Sequence, residues 1–377
     1  MTISRFSFPT DIQFGAGASN LVGDHLRERG FARPIVVTDN GLAALPVFKN
    51  FVANLGAGLS VHLFTGVQGN PTASQAMQGR DAFRAHQADC VIGIGGGAAL
   101  DVAKVVALLA VHEGDVIEYA WDHPRVRAIT SELPHIVAVP TTSGTGSEVG
   151  RSSVVSDDQT HVKQVIFSPK LLAKAVFADP ALTLDLPPAI TAATGMDALT
   201  HNIESYLSPA FHPLCDGIAL EGVRIAARAL PTAVKDGRNL QARADMMMAS
   251  MMGAIAFQKD LGAVHSCAHA LGAVCDLHHG LANALMLEPV MRFNRETAGA
   301  KFSELAHVVG AGTADDFVPW LVRLKNEIGI AASLSAVGVK PAQLSALVNI
   351  AEKDICHQTN PRPCTRADFT RFFEQAM

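Results

Sequence analysis

Over the first half of the chain, short unbroken apolar runs alternate with longer stretches of helical period. RPIVVTD (33–39), DCVIGIGGG (89–97) and HIVAVPTT (135–142) are three such runs, each closing on turn-forming or small polar residues. An unbroken run predicts a strand buried on both faces, as in a parallel sheet covered by helices. ALDVAKVVALLAV follows the second run with helical spacing, the alternation of an α/β layer fold. DPALTLDLPP (179–188) holds three prolines and reads as a junction. Beyond it strand signals fade, and ITAATGMDALTHNIESYL, GIALEGVRIAARAL and ARADMMMASMMGAIAFQ read as helices rich in Ala, Leu and Met. The pattern predicts an α/β domain over residues 1–185 and an all-helical domain over 186–377. The methionines at 246–252 predict a buried helix, because unbranched Met fills irregular gaps.

Composition narrows the class. A chain of 377 residues is too long for one ordinary core, which supports two domains. With 49% hydrophobic and 17% charged residues it suits a compact protein with much buried surface. The net charge of −5 comes without a block of like charge, so neither nucleic acid nor a membrane surface is expected as a partner. MTISRFSFPTDIQF lacks the charged-then-apolar run of a signal peptide. The longest apolar stretch, VAKVVALLAV (102–111), is too short to span a bilayer. Six cysteines without a CxxC pair read as reduced thiols, and the expected compartment is the cytoplasm.

Several stretches carry candidate chemistry. In GIGGGAALD (93–101), Gly93, Gly95 and Ala98 fit G-x-G-x-x-G/A between a strand and a helix, where backbone N–H groups meet a phosphate. A structural tight turn is the alternative, and the loop lies too far along the chain for the usual first βαβ unit. Asp39 ends the strand PIVVTD, where a carboxylate accepts hydrogen bonds from an adenosine ribose or simply caps a helix. PTTSGTGSE (140–148) places Thr141, Thr142, Ser143 and Thr145 directly after a core strand, many donors for a diphosphate or ribose without fixed charge. Asp197 and His201 stand four apart on one helix face, and His265 and His269 repeat that spacing, with His279 fourteen residues beyond His265. One carboxylate with three imidazoles suits Fe(II), Zn(II) or another first-row divalent ion. A helix surface pair and hydrogen-bonded core histidines are the alternatives.

GGGAALDVAK, PTTSGTGSE, TAATGMDALTH, GAVHSCAHALG and HHGLANALMLEPVMRFN closely resemble the matching stretches of the iron-containing (group III) alcohol dehydrogenases. The resemblance runs from FGAGA (14–18) to NPRP (360–363). It implies a Rossmann-like, mostly parallel N-terminal dinucleotide-binding domain and an all-α C-terminal domain, the architecture shared with dehydroquinate synthase, with the active site in the cleft between them. Carried onto this sequence, it implies Asp197, His201, His265 and His279 as metal ligands and His269 beside the nicotinamide. His278 matches no required histidine and is expected to be structural. The cofactor side takes in Asp39, Asn70, Gly96, Gly97, Ala98, Asp101, Thr141, Thr142, Thr145, Val154, Lys163 and Leu182. Asp39 implies NAD(H) in preference to NADP(H), by excluding a 2′-phosphate. One departure stands out, since Ala98 replaces the family's usual serine. The lost hydroxyl predicts a modest loss of cofactor affinity, a neutral hydrogen bond contributing about 0.5–1.5 kcal/mol.

The expected activity is reversible hydride transfer between a small primary alcohol or aldehyde and NAD(H), with Fe(II) or Zn(II) holding the oxygen and His269 relaying the proton. Arg151, Arg362 and Phe257 are the candidate substrate contacts, the arginines for an anionic group on the substrate. A homodimer or higher homo-oligomer is expected. Rival readings are a glycerol dehydrogenase-like enzyme, a dehydroquinate synthase-like enzyme, and a catalytically idle filament-forming protein.

Overall fold

The computed structural model describes residues 6–8, 10–160 and 162–377. They form two compact units. One is built on residues up to Thr142 together with Ser147–Thr183; the other is built on Leu184–Met377, joined by Ser143–Gly146 and by residues 6–8.

The first unit contains β1 (Asp11–Phe14), β2 (Pro34–Asp39), β3 (His62–Val67), β4 (Cys90–Gly95), β5 (His135–Pro140), β6 (Ser152–Ser156), β7 (Lys163–Phe167) and β8 (Ala175–Ala178). Six of these make one parallel sheet in the order β1-β8-β5-β4-β2-β3, and β6 and β7 pair as an antiparallel hairpin. The three unbroken apolar runs are β2, β4 and β5, adjacent in the middle of the sheet, and every residue of β4 is buried. The other three sheet strands lack such runs for physical reasons. β1 and β3 are the two edges and are half exposed, and β8 is only four residues long. Helices α1 (Val22–Glu28), α2 (Asn40–Ala44), α3 (Pro46–Asn54), α4 (Ala73–His86) and α5 (Gly97–Val111) follow strands or precede them in the α/β alternation. This is a Rossmann-like layer fold.

The strand order dictates where a ligand can sit. From β2 the chain moves outward to β3, then returns past β2 to β4 and continues to β5 on the other side. The order therefore reverses between β2 and β4, and the carboxyl ends of strands at such a switch point form a crevice for ligands. Register aligns these ends. Val37 pairs with Gly93 and Gly95 with Pro140, so Asp39, the turn after β4 and Thr141 share one edge of the sheet.

The second unit has helices and no strand among its described residues: α6 (Pro188–Leu207), α7 (Pro213–Lys235), α8 (Leu240–Ala256), α9 (Ala263–Cys275), α10 (His279–Arg295), α11 (Gly299–Val308), α12 (Phe317–Glu327), α13 (Leu344–Ala351) and α14 (Arg366–Ala376). Met246, Met247 and Met251 of α8 are buried, as the pattern predicts. α6 is enclosed along almost its whole length from Thr191, yet the enclosed residues include Asp197, His201, Asn202 and Glu204. A buried helix with polar and charged side chains is the informative exception to an apolar interior. No helix among the described residues is long and apolar enough to cross a membrane.

Candidate functional site

Asp197 and His201 face the same way from α6, four residues apart. His265 comes from the first turn of α9 and His279 opens α10. Three helices thus bring their side chains to one point. The Asp197 carboxylate Oδ1 lies 3.6 Å from His279 Nε2, 3.8 Å from His265 Nε2 and 4.0 Å from His201 Nε2. Ligand atoms around a tetrahedral ion with bonds of about 2.0–2.2 Å stand about 3.3–3.6 Å apart, so the four groups are spaced close to what one ion requires. Asp197, His265 and His279 form the tightest set, their ligand atoms all within 4.8 Å of one another, and the His201 ring stacks on that of His265 at 4.6 Å.

Electrostatics points the same way. Asp197 is 2% exposed, and its ion-pair contacts are all with histidines. Burial and the neighbouring His201 ring hold His265 well below the ordinary imidazole value, so it is neutral. A carboxylate buried this deeply needs a cation. Asn283 Nδ2 donates to its Oδ1 at 2.7 Å, and that amide nitrogen also lies 3.3 Å from His265 Nε2 and from His279 Nε2. Asn283 Oδ1 and His201 Nδ1 are buried without a hydrogen-bond partner among the described residues. The donor set, one carboxylate oxygen and three imidazole nitrogens, fits a divalent first-row ion.

Close helix packing makes this convergence possible. A Cβ on Gly280 would stand 2.1 Å from the Ala193 carbonyl oxygen, so only glycine lets the start of α10 rest on α6 beside Asp197. On the far side of His265, Glu204 Oε2 lies 2.5 Å from the Nδ1 of that ring. Burial pushes the Glu204 carboxyl up to about 7, against the pull of the Val264 and His265 backbone N–H groups that donate to it.

His269 lies one turn beyond His265, its ring stacked on that of His279 at 5.5 Å. Its Nδ1 is 2.7 Å from Asp354 Oδ2, while Asp354 Oδ1 accepts from Ser266 Oγ and the Cys356 N–H. Burial works to raise Asp354, but the His269 ring and these donors outweigh it and hold the carboxyl below the ordinary range. His269, Asp354 and Cys356 also have ligand atoms within 4.8 Å of one another. Both Asp354 oxygens are already engaged and burial pushes the Cys356 thiol far up, so this group is a hydrogen-bonded support for His269 rather than a second ion site. Phe257 sits beside the candidate ligands, its ring 5.4 Å from that of His201.

The first unit carries the other cluster. Asp39 caps α2, accepting the Leu42 N–H on Oδ1 at 2.8 Å. Its Oδ2 faces the turn after β4, 3.5 Å from where a Gly95 Cβ would be. Gly95 has φ +147, and a Cβ there would also lie 2.7 Å from that of Ala99. Gly96 precedes α5 and has no side chain to cap it, so Gly97 and Ala98 present first-turn N–H groups at a helix N-terminus, a ready anion site. Thr141 N–H donates to the Gly95 carbonyl, and the Thr142 side chain lies against Gly96.

The remaining named residues take other positions. Asp101 is committed to the fold, accepting from Ser147 Oγ and the Val154 N–H. Val154 and Lys163 lie on the β6–β7 hairpin, Lys163 opposite Ser156. Leu182 packs against the core beneath the sheet, and Asn70 is exposed in the turn before α4. Thr145 belongs to the segment that clusters with the helical unit. Arg151 lies over the Phe167 ring, 5.4 Å from its centre. Arg362 stacks on Phe293 at 3.9 Å and donates to Glu296, so its charge is already paired within the helical unit. Three residues of the centre escape a reading by motif: Glu204, Asn283 and Asp354. Spacing marks the first two, one helical step beyond His201 and His279, whereas nothing local marks Asp354.

Residues 9–180 match the family model described as iron-containing alcohol dehydrogenase, and residues 191–377 match the Fe-containing alcohol dehydrogenase family, C-terminal. The chain is 39% identical to a 4-hydroxybutyrate dehydrogenase of Cupriavidus necator over 98% of each protein. Its fold superposes on a solved 1,3-propanediol oxidoreductase with a TM-score of 0.95, 37% identity and full coverage of both chains, each at 100%. It also superposes on a sulfoacetaldehyde reductase of Bifidobacterium kashiwanohense in complex with NAD+, with a TM-score of 0.92 and 27% identity over 100% of this chain and 99% of that one.

Proposed function

Since the chain belongs to the iron-containing alcohol dehydrogenase family, an oxidoreductase group acting on CH–OH, we propose that it interconverts small primary alcohols and aldehydes using NAD(H) in preference to NADP(H) and an Fe(II) ion, with Zn(II) as the alternative metal. The observation that carries this reading is the convergence of Asp197 with His201, His265 and His279 from three helices, with no other cation to neutralise the buried carboxylate among its described ion-pair partners.

Asp197, His201, His265 and His279 would hold the ion. With both groups bound, polarisation of the substrate oxygen comes from the metal and the hydride from nicotinamide. The chain's own part is positioning and proton transfer. Asp354 takes the Nδ1–H of His269 and leaves Nε2 as the nitrogen that gives or receives the proton of the alcohol. Phe257 supplies an apolar wall beside His201. The N–H groups of Gly97 and Ala98 and the hydroxyls of Thr141, Thr142 and Thr145 would bind the cofactor's phosphates and ribose. Asp39 would meet the adenosine ribose and repel a 2′-phosphate. Asn70, Val154, Lys163 and Leu182 would border the cofactor.

The relatives suggest a substrate of three or four carbons with a polar far end, such as 1,3-propanediol or 4-hydroxybutyrate. Arg151 and Arg362 are the candidates for an anionic end, Arg362 being already paired with Glu296. The absence of disulfides among the six cysteines supports a cytoplasmic setting. Exposed Phe14 on the sheet-edge strand β1 supports a homodimer or higher homo-oligomer.

The test is metal analysis of anaerobically purified protein together with an aldehyde panel, including 4-carbon aldehydes with and without a carboxylate, read with NADH and NADPH. We expect one divalent ion per chain, faster turnover with NADH, and loss of both ion and turnover in His265→Ala. Full retention of metal and activity in that variant would sink the assignment.

A further inference from the structure

The face of α6 that carries Asp197 and His201 continues one step to Glu204, completing an i, i+4, i+7 stripe. Glu204 is 2% exposed and makes three contacts at the start of α9. It accepts the Val264 N–H at 2.8 Å and the His265 N–H at 3.4 Å, and its Oε2 lies 2.5 Å from the His265 ring Nδ1. The residue before α9 is Gly262, which has no side chain to cap the helix, so the carboxylate of another helix does so. One side chain therefore anchors both the backbone that carries His265 and the ring itself.

A neutral imidazole holds its proton on one nitrogen only, and the nitrogen with the proton cannot ligate a metal. With Nδ1–H given to Glu204, the lone pair is left on Nε2, the atom that faces Asp197 at 3.8 Å. We propose that Glu204 is a positioning residue of the metal centre, fixing the tautomer and tilt of His265 so that Nε2 points at the ion. This rests on the metal reading above and adds to it a residue outside the ligand set. A carboxylate suits the task because its two oxygens accept all three N–H groups. Gln has one acceptor oxygen and an NH2 that would meet donors, and Asp is one methylene too short to span the gap.

The test compares the wild type with Glu204→Gln and His265→Ala by titrating Zn(II) against a chelating indicator, scaled to the folded fraction seen by circular dichroism. Outer groups that orient a ligating histidine typically contribute about 10–100-fold in metal affinity, and a weakening of that order is expected in Glu204→Gln. A residue that only held the fold together would lower the unfolding midpoint and leave the affinity of folded molecules unchanged. Long-range proton–nitrogen correlation on metal-stripped, 15N-histidine-labelled wild type supplies a second readout independent of any variant. His265 should carry its proton on Nδ1. Wild-type affinity in Glu204→Gln alongside loss in His265→Ala, or a wild-type His265 protonated on Nε2, overturns this inference alone. A wild-type chain that binds no Zn(II) overturns the metal reading as well.

Discussion

At the scale of single residues, Asp39 divides its carboxylate between two tasks. Oδ1 accepts the Leu42 N–H and starts α2, while Oδ2 turns toward the glycine turn after β4. The cap reading and the ribose reading of this residue are therefore compatible, one oxygen for each. Substitution separates them. Asp39→Ser keeps a good capping oxygen and removes the charge, whereas Asp39→Ala removes both. Both variants are expected to raise the NADPH-to-NADH ratio of kcat/KM by at least about tenfold, equivalent to about 1.4 kcal/mol. Only the alanine variant should lose the cap, at a cost of about 0.5–2 kcal/mol in urea unfolding. An unchanged cofactor ratio in both variants would remove Asp39 from the specificity argument. Asp101 also divides its carboxylate, one oxygen accepting from Ser147 Oγ and the other from the Val154 N–H, and so helps to shape the hairpin.

Elements decide whether the ligands meet. α6, α9 and α10 converge because small residues line their contacts, and Gly280 is the tightest of these. A methyl group there would stand 2.1 Å from the Ala193 carbonyl oxygen and 3.3 Å from the Asp197 Cβ, so α10 would have to move off α6 and carry His279 with it. Gly280→Ala is expected to destabilise the metal-stripped protein by about 1–3 kcal/mol, the usual cost of overpacking. It should also weaken Zn(II) binding about tenfold or more. Gly217→Ala is the control, since that position on α7 has nothing within 4 Å of the added Cβ. It should be neutral or stabilise by about 0.5–1 kcal/mol. Equal stability and ion affinity in both variants would mean that the contact between α6 and α10 does not set the site.

On the scale of the whole molecule, the chemistry is divided between two compact units. The four proposed ligands lie in the helical unit, and the glycine turn with Asp39 lies in the α/β unit. Hydrogen–deuterium exchange should resolve the two ligands by where they protect the chain. Zn(II) is expected to slow exchange in α6, α9 and the start of α10, and NAD+ in the turn after β4 and the first turn of α5. At a free ion concentration about 100 times its dissociation constant, the ion should add about 2.7 kcal/mol to the stability of the form that binds it. Protection by Zn(II) confined to the sheet strands would contradict the ligand assignment.

Local periodicity determined a good deal by itself. The unbroken runs of β2, β4 and β5 announce strands covered on both faces, and the Asp197–His201 and His265–His269 spacings put each pair on one helix face. The edge strands β1 and β3 were not legible in this way, because a half-exposed strand needs no continuous apolar run. Tertiary structure alone decided the rest of the centre. Glu204 reaches His265 across 61 residues and Asp354 reaches His269 across 85, separations at which no short-range pattern can register a partner. The same holds for Arg362, whose sequence neighbourhood suggests an open charge, while the fold hands it to Phe293 and Glu296 more than sixty residues away, 69 and 66 respectively. Sequence periodicity fixes which face a side chain occupies, because that depends only on backbone geometry. Which face it then meets depends on how helices pack, and that is a property of the folded chain.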